Sequence, residues 1–165
     1  MFSHLDSQGR PAMVNVGAKP ETARLARAAA RVRLPATVAA HLRDGDLSTR
    51  KGSVLQTAIL AGITGAKQTS ALIPLCHPLP LTDCAVTIEL HPPAADGSVI
   101  AAIECRAETV GRTGVEMEAM TGASIAALTL YDMAKGLSHE IVIESVRLLE
   151  KTGGKHVFGS PDARA

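Results

Sequence analysis

The sequence predicts an α+β fold, an antiparallel sheet with helices packed on one face in a ferredoxin-like βαββαβ order, and three observations predict it. Two neighbouring stretches alternate apolar and polar residues around a turn rich in Pro and Gly, the pattern of a β-hairpin. Two longer stretches read as helices, one with apolar residues at helical spacing that stops at Pro74 and one that ends at Gly136. Further strand-like segments stand before the first of these helices and after the second.

Taken in order, residues 1–22 are polar, carry Gly9, Pro11, Gly17 and Pro20, show no period, and are expected to form a mobile arm, with 156–165 as a flexible tail. Ala28, Ala30, Val32 and Leu34 alternate with Arg31 and Arg33, which favours a half-buried strand although the alanines would also suit a helix. Pro35 and Gly45 bracket a short helix over 35–44. A second helix is expected from Ser53 to Leu72, with Val54, Ala58, Ala61 and Gly65 on one face. The hairpin pairs Cys84, Val86, Ile88 and Leu90 with Val99, Ala101, Ile103 and Cys105 across a turn holding Pro92, Pro93, Asp96 and Gly97. A long helix over Thr113–Lys135 meets Gly136 where a left-handed cap would sit, and a last strand covers Ile141–Leu149. With no internal repeat or low-complexity stretch, residues 1–165 read as a single domain.

A chain of 165 residues can bury a core without disulfide or metal staples. Its only aromatic residues are Phe2, Tyr131 and Phe158, so Ala, Val, Leu and Ile must fill the interior, and small side chains imply close approach of helix to sheet. Seventeen basic residues against sixteen acidic ones remove the electrostatic footprint of a nucleic-acid binder, and the strands offer no aromatic ring on which a base could stack. No run approaches the roughly 20 apolar residues of a membrane helix, and the first twenty residues lack the apolar centre of a signal peptide, so a cytoplasmic location is expected. Three cysteines without paired short spacing predict no structural metal, and Cys84 and Cys105 read as core thiols.

Chemistry is suggested at four places. Pro74 and Pro78 bracket Cys76 and His77, freezing the backbone where a helix gives way to a strand; a structural histidine and a packed thiol are the bland alternatives to a substrate contact. Thr113 and Glu116 match a capping box, and Glu118 in the same first turn suits the helix dipole, so structural roles suffice for both acids. At the other end of that helix Asp132 faces the negative pole, which breaks a local rule; with Lys135 three residues on, it forms either an intrahelical ion pair or an acid–base couple. Lys51 beside Gly52, and Gly153-Gly154-Lys155, place ammonium groups beside glycine amides that suit phosphate oxygens, although no P-loop pattern is present.

The blocks RKGSVLQTA, LIPLCHPLPL, GRTGVEMEAMTGAS, LYDMAKG and VRLLEKTGGK follow one another with the order and spacing of the MoaC family, and the resemblance covers residues 12–155. It implies a lyase of molybdenum cofactor (molybdopterin) biosynthesis that turns (8S)-3′,8-cyclo-7,8-dihydroguanosine 5′-triphosphate into cyclic pyranopterin monophosphate and pyrophosphate. Carried over by position, Asp132 resembles the active-site carboxylate, Lys51 and Lys135 the catalytic lysines, and Leu75, Cys76, His77, Met117 and Glu118 the substrate-binding residues. Proton transfers at ring nitrogens and sugar carbons suit a Lys and an Asp. Departing pyrophosphate needs positive charge, for which Lys67, Lys151 and Lys155 are auxiliary candidates. Which lysine carries protons and which clamps phosphate stays open. The resemblance further implies a hexamer built as a trimer of dimers and an upstream radical S-adenosylmethionine enzyme as supplier of the substrate. No cofactor or metal site is expected; whether a divalent ion accompanies the triphosphate is left open. Three positions depart from the family pattern: Ser53 and Asn15 stand where Asp is expected, and Gly136 where Ala is.

Fourteen residues separate Glu118 from Asp132, about 21 Å along one helix at 1.5 Å per residue. One nucleotide's reacting end does not easily touch both, so a site composed between subunits of a symmetric oligomer is expected. Two other classes compete with the enzyme: a non-catalytic ferredoxin-like nucleotide sensor, which fold alone does not distinguish, and an RNA-binding domain, which the missing aromatics disfavour.

Overall fold

The computed structural model describes residues 8–49, 52–160 and 162–164. Its elements run β1 (Thr22–Leu34), α1 (Ala36–Ala39), β2 (Ser48–Thr49), β3 (Gly52–Ser53), α2 (Val54–Lys67), α3 (Thr69–Leu72), β4 (Asp83–Leu90), β5 (Val99–Gly111), α4 (Glu116–Ala134), β6 (Val142–Thr152) and β7 (Phe158–Gly159). The main sheet has the order β4-β5-β1-β6-β7 with every neighbour antiparallel. Without the two-residue β7, that is the strand order of a ferredoxin-like βαββαβ plan.

Period two explains the sheet. Ala26, Ala28, Ala30, Val32 and Leu34 of β1 stand opposite Ala107, Cys105, Ile103, Ala101 and Val99 of β5, and all ten are buried. The intervening Arg27, Arg31 and Arg33 emerge on the other face, where Arg27 binds Glu104 at 2.7 Å and Glu150 at 3.2 Å, and Arg31 and Arg33 approach Glu144 at 3.7 and 3.6 Å. One face is therefore apolar and covered by α2 and α4, and the other is a lattice of charges.

Small residues set the depth of that cover. A Cβ on Gly62 of α2 would lie 2.8 Å from the Gly122 carbonyl oxygen of α4, so the two helices meet backbone against backbone. Around this contact Ala58, Ala66, Ala119, Ala123, Ala126 and Ala127 are buried, as a composition poor in aromatics predicts. The larger fully buried side chains, Leu34, Leu47, Ile103 and Leu130, each contribute about 1.5–3 kcal/mol by leaving water.

Several boundaries differ from the sequence expectation. The helix expected over 35–44 is a single turn, because the chain reverses through Asp44 and Gly45, both at positive φ, into a bridge between Arg43 and Asp46. The helix expected over 53–72 breaks at Gln68 into α2 and α3, with the Thr69 hydroxyl donating to the Ala66 carbonyl at 2.9 Å. Ser53, one of the three departures, caps α2 by accepting from the Gln56 amide at 3.1 Å, a role that Asp would also fill. β1 and β6 are longer than expected because their ends pair with β5 and with each other, as in Thr22 opposite Gly111 and Leu25 opposite Thr152. Among the described residues, no helix is long and apolar enough to cross a membrane.

Candidate active site

Helix α4 begins at Glu116, three residues later than the capping pattern placed it, and its first turn carries no side-chain cap. Thr113 and Glu116 thus do not form the box. Glu116 instead reaches β6, where its carboxylate accepts from Lys151 Nζ at 2.8 Å. Two residues on, Glu118 turns inward and is only 4% exposed. Burial, with a smaller push from Glu116, raises its carboxyl to a pKa of about 6.

The loop after α3 delivers the other wall. Leu75, Cys76 and His77 face the start of α4 across a cavity of about 320 Å³, which is also lined by Met117, Glu118, Thr113, Gly114 and Glu116. All five residues expected to bind substrate meet here. His77 Nε2 lies 2.7 Å from the Val14 carbonyl oxygen, which can only accept, so Nε2 is the donor of that hydrogen bond. Cys76 is held up in pKa by burial and by the Glu118 charge, which keeps it a thiol and argues against a nucleophilic role.

A second cavity, of about 200 Å³, shares Thr113, Gly114 and Glu116 with the first and is basic: Lys19, Arg24, Arg112, Lys151 and Lys155 line it. The turn after β6 makes this possible. Gly153 has a φ of 83°, and a Cβ there would overlap the Ala23 carbonyl oxygen, so only glycine lets the turn lie against the start of β1. The Thr22 hydroxyl closes the contact by donating to the Gly153 carbonyl at 2.9 Å. Lys151 and Lys155 were anticipated from sequence. Lys19, Arg24 and Arg112 were not, since nothing local marks them, and only the pairing of β1 with the ends of β5 and β6 gathers them.

The remaining expected residues lie elsewhere. Asp132 and Lys135 sit at the far end of α4 as an ion pair of 2.6 Å, 57% and 49% exposed, and line neither cavity. The Asp132 carboxylate raises the Lys135 pKa and so holds it as an ammonium. Lys67 ends α2, close enough to Cys84 to influence its thiol, and also lines neither cavity. Lys51 falls outside the described residues. Among those described, no cluster of three or more His, Cys, Asp or Glu side chains is arranged to hold a metal ion.

The model of the MoaC family matches residues 13–154. The chain belongs to the MoaC family. Curated relatives named cyclic pyranopterin monophosphate synthase share 49% identity over 159 residues in Xanthomonas oryzae pv. oryzae, covering 96% of this chain and 93% of the relative. Others of that name share 56% over 155 residues in a Nostoc species, covering 93% and 88%, and 51% over 154 residues in Herpetosiphon aurantiacus, covering 93% and 90%. In this MoaC-family chain, the matched residues include both walls of the first cavity and the cations of the second from Lys19 to Lys151, with Lys155 just beyond.

Proposed function

We propose that this chain is a cyclic pyranopterin monophosphate synthase, a lyase of molybdenum cofactor biosynthesis that converts (8S)-3′,8-cyclo-7,8-dihydroguanosine 5′-triphosphate to cyclic pyranopterin monophosphate and pyrophosphate. One observation carries the reading: a cavity holding a buried acid, an oriented histidine and an unionised thiol shares the wall of Thr113, Gly114 and Glu116 with one lined by five cations. A nucleotide derivative needs both kinds of space. Glu118, ionised at neutral pH, can accept from the N–H groups of a guanine-derived ring, and in the neutral ring His77 Nδ1 can accept from a further donor. Lys151, Lys155, Arg24, Arg112 and Lys19 would take the triphosphate and stabilise the charge that develops as pyrophosphate leaves.

Proton transfer is assigned to Asp132 and Lys135, with Lys51. Being held as an ammonium, Lys135 enters the reaction as acid or clamp, and Asp132 is the basic member of the pair. They reach the substrate from a neighbouring copy. Three features support this: the length of α4 between Glu118 and Asp132, the exposure of the ion pair, and an apolar shelf of Ile73, Pro74, Leu75 and Met117 beside the first cavity on which a second copy could pack. The assembly is proposed to be a hexamer, a trimer of dimers. It would work in the cytoplasm without a resident cofactor, on substrate handed over by a radical S-adenosylmethionine enzyme; a divalent ion, where required, would arrive with the triphosphate.

The test is incubation of the purified chain with the cyclised triphosphate, reading pyrophosphate release and the fluorescent oxidised pterin. Both signals are expected. Binding without pyrophosphate release would make the chain a sensor and overturn the proposal.

A further inference from the structure

The segment ahead of β1 touches both cavities. Ala12, Val14 and Val16 are half-buried and alternate with exposed Met13, Asn15 and Gly17, so one side of the segment faces the protein. Its backbone then turns, with the Gly17 amide donating to Asn15 Oδ1 at 2.8 Å and the Lys19 amide to the Val16 carbonyl at 3.0 Å. Before the turn, the Val14 carbonyl accepts from His77 Nε2 at 2.7 Å. After it, Lys19 enters the basic cavity, and Glu21 approaches Arg112 of that cavity at 3.7 Å.

Each end has a physical consequence. A hydrogen bond at one ring nitrogen fixes the orientation of the imidazole and, when the ring is neutral, selects the tautomer that leaves Nδ1 as acceptor. In the basic cavity, Lys151 is engaged by Glu116 at 2.8 Å, and Arg24 donates to the Gly111 carbonyl at 3.3 Å. Among the described residues no carboxylate pairs with Lys19, so its charge is open to an anion. Five peptide steps join Val14 to Lys19, at most about 18 Å of fully extended chain, and the turn shortens that span. What holds one end therefore restrains the other.

We propose that residues 14–19 are a strap that couples oligophosphate binding at Lys19 to the orientation of His77. Val14 is a positioning residue that acts through His77, and an oligophosphate held by Lys19 fastens the strap. The inference deepens the synthase reading and rests on it for the identity of the substrate; the coupling itself needs only the anion.

Inorganic tripolyphosphate is therefore the probe. Bound to the full chain, it should slow amide exchange over residues 12–19 about tenfold, and in Lys19→Met that slowing should disappear. In Val14→Gly/Val16→Gly, which alters no residue of the buried core, the imidazole nitrogen resonances of neutral His77 should move towards the average of the two tautomers while those of His91 stay in place. Unchanged His77 resonances in that variant, or arm exchange that tripolyphosphate leaves unaltered in the full chain, would overturn the proposal. The two readings fail separately. A chain that shows the coupling but releases no pyrophosphate from the cyclised triphosphate keeps the strap and loses the synthase, and the reverse result keeps the synthase and loses the strap.

Discussion

The two ends of helix α4 contrast in almost every physical respect. At its start Glu118 is buried, its carboxyl raised by loss of solvent, and it faces a cavity that shares a wall with a basic one. At its finish Asp132 and Lys135 stand in solvent, paired with each other, beside no cavity of the site. Burial and a cavity wall surround the first end within a single chain. The second end lines neither cavity among the described residues, and a general acid or base works only within hydrogen-bond reach of the proton it moves. The difference teaches that one protomer holds Glu118 and the Asp132–Lys135 pair apart, and that the proposed function needs association to unite them.

The sharpest way to break that contrast is to disable each end separately. Asp132→Asn or Lys135→Met should lower kcat by about 10²–10⁴-fold, the usual range for loss of a general acid or base, and leave the melting temperature unchanged because both groups are exposed. Glu118→Ala should also inactivate the chain, through lost binding. Mixed oligomers of Glu118→Ala and Lys135→Ala chains should then regain activity, since some sites would combine an intact start of α4 from one copy with an intact finish from another. Verified mixed oligomers that stay dead would mean that each chain works alone.

The strands were legible because a half-buried strand writes period two into its residues, and β1 does so down to the alternating arginines of its charged face. The first cavity was legible as two motifs, around His77 and around Glu118, but their meeting was not. Glu116 shows why. Its local pattern argued for a cap, yet its carboxylate goes to Lys151, 35 residues away, and no short-range rule foresees that partner. The basic cavity was hidden for the same reason: Lys19, Arg24 and Arg112 are unremarkable in sequence and converge only because strand ends pair across long separations. Gly153 and Gly154 before Lys155 were the one signal that backbone approaches closely there.

The basic cavity offers a second, smaller test of the contrast. Arg24→Ala and Lys155→Ala should each raise KM about 10-fold with little change in kcat, because a charge-assisted hydrogen bond to phosphate is worth about 1.5–3 kcal/mol and exposure reduces it. Added salt should weaken the native chain more than either variant, as fewer cations then remain to be screened. A fall in kcat at constant KM would move these residues from binding into the chemistry. It would make the start of α4 catalytic as well.

The smallest effect concerns stability alone. A Glu118 carboxyl with a pKa of about 6 in the folded chain, against an ordinary 4.5, binds its proton more tightly folded than unfolded. Stability from this group is therefore fully present below about pH 4.5, declines as pH rises to about 6, and stays low above, where the buried carboxylate costs on the order of 1–2 kcal/mol. Glu118→Gln removes the titration while keeping the shape. Melted across pH 4 to 8, the difference between variant and native chain should grow in favour of the variant between about pH 4.5 and 6 and then level off, while substrate binding is lost. A constant difference across that range would show that the acid is solvated after all, and the contrast between the two ends of α4 would lose its physical basis.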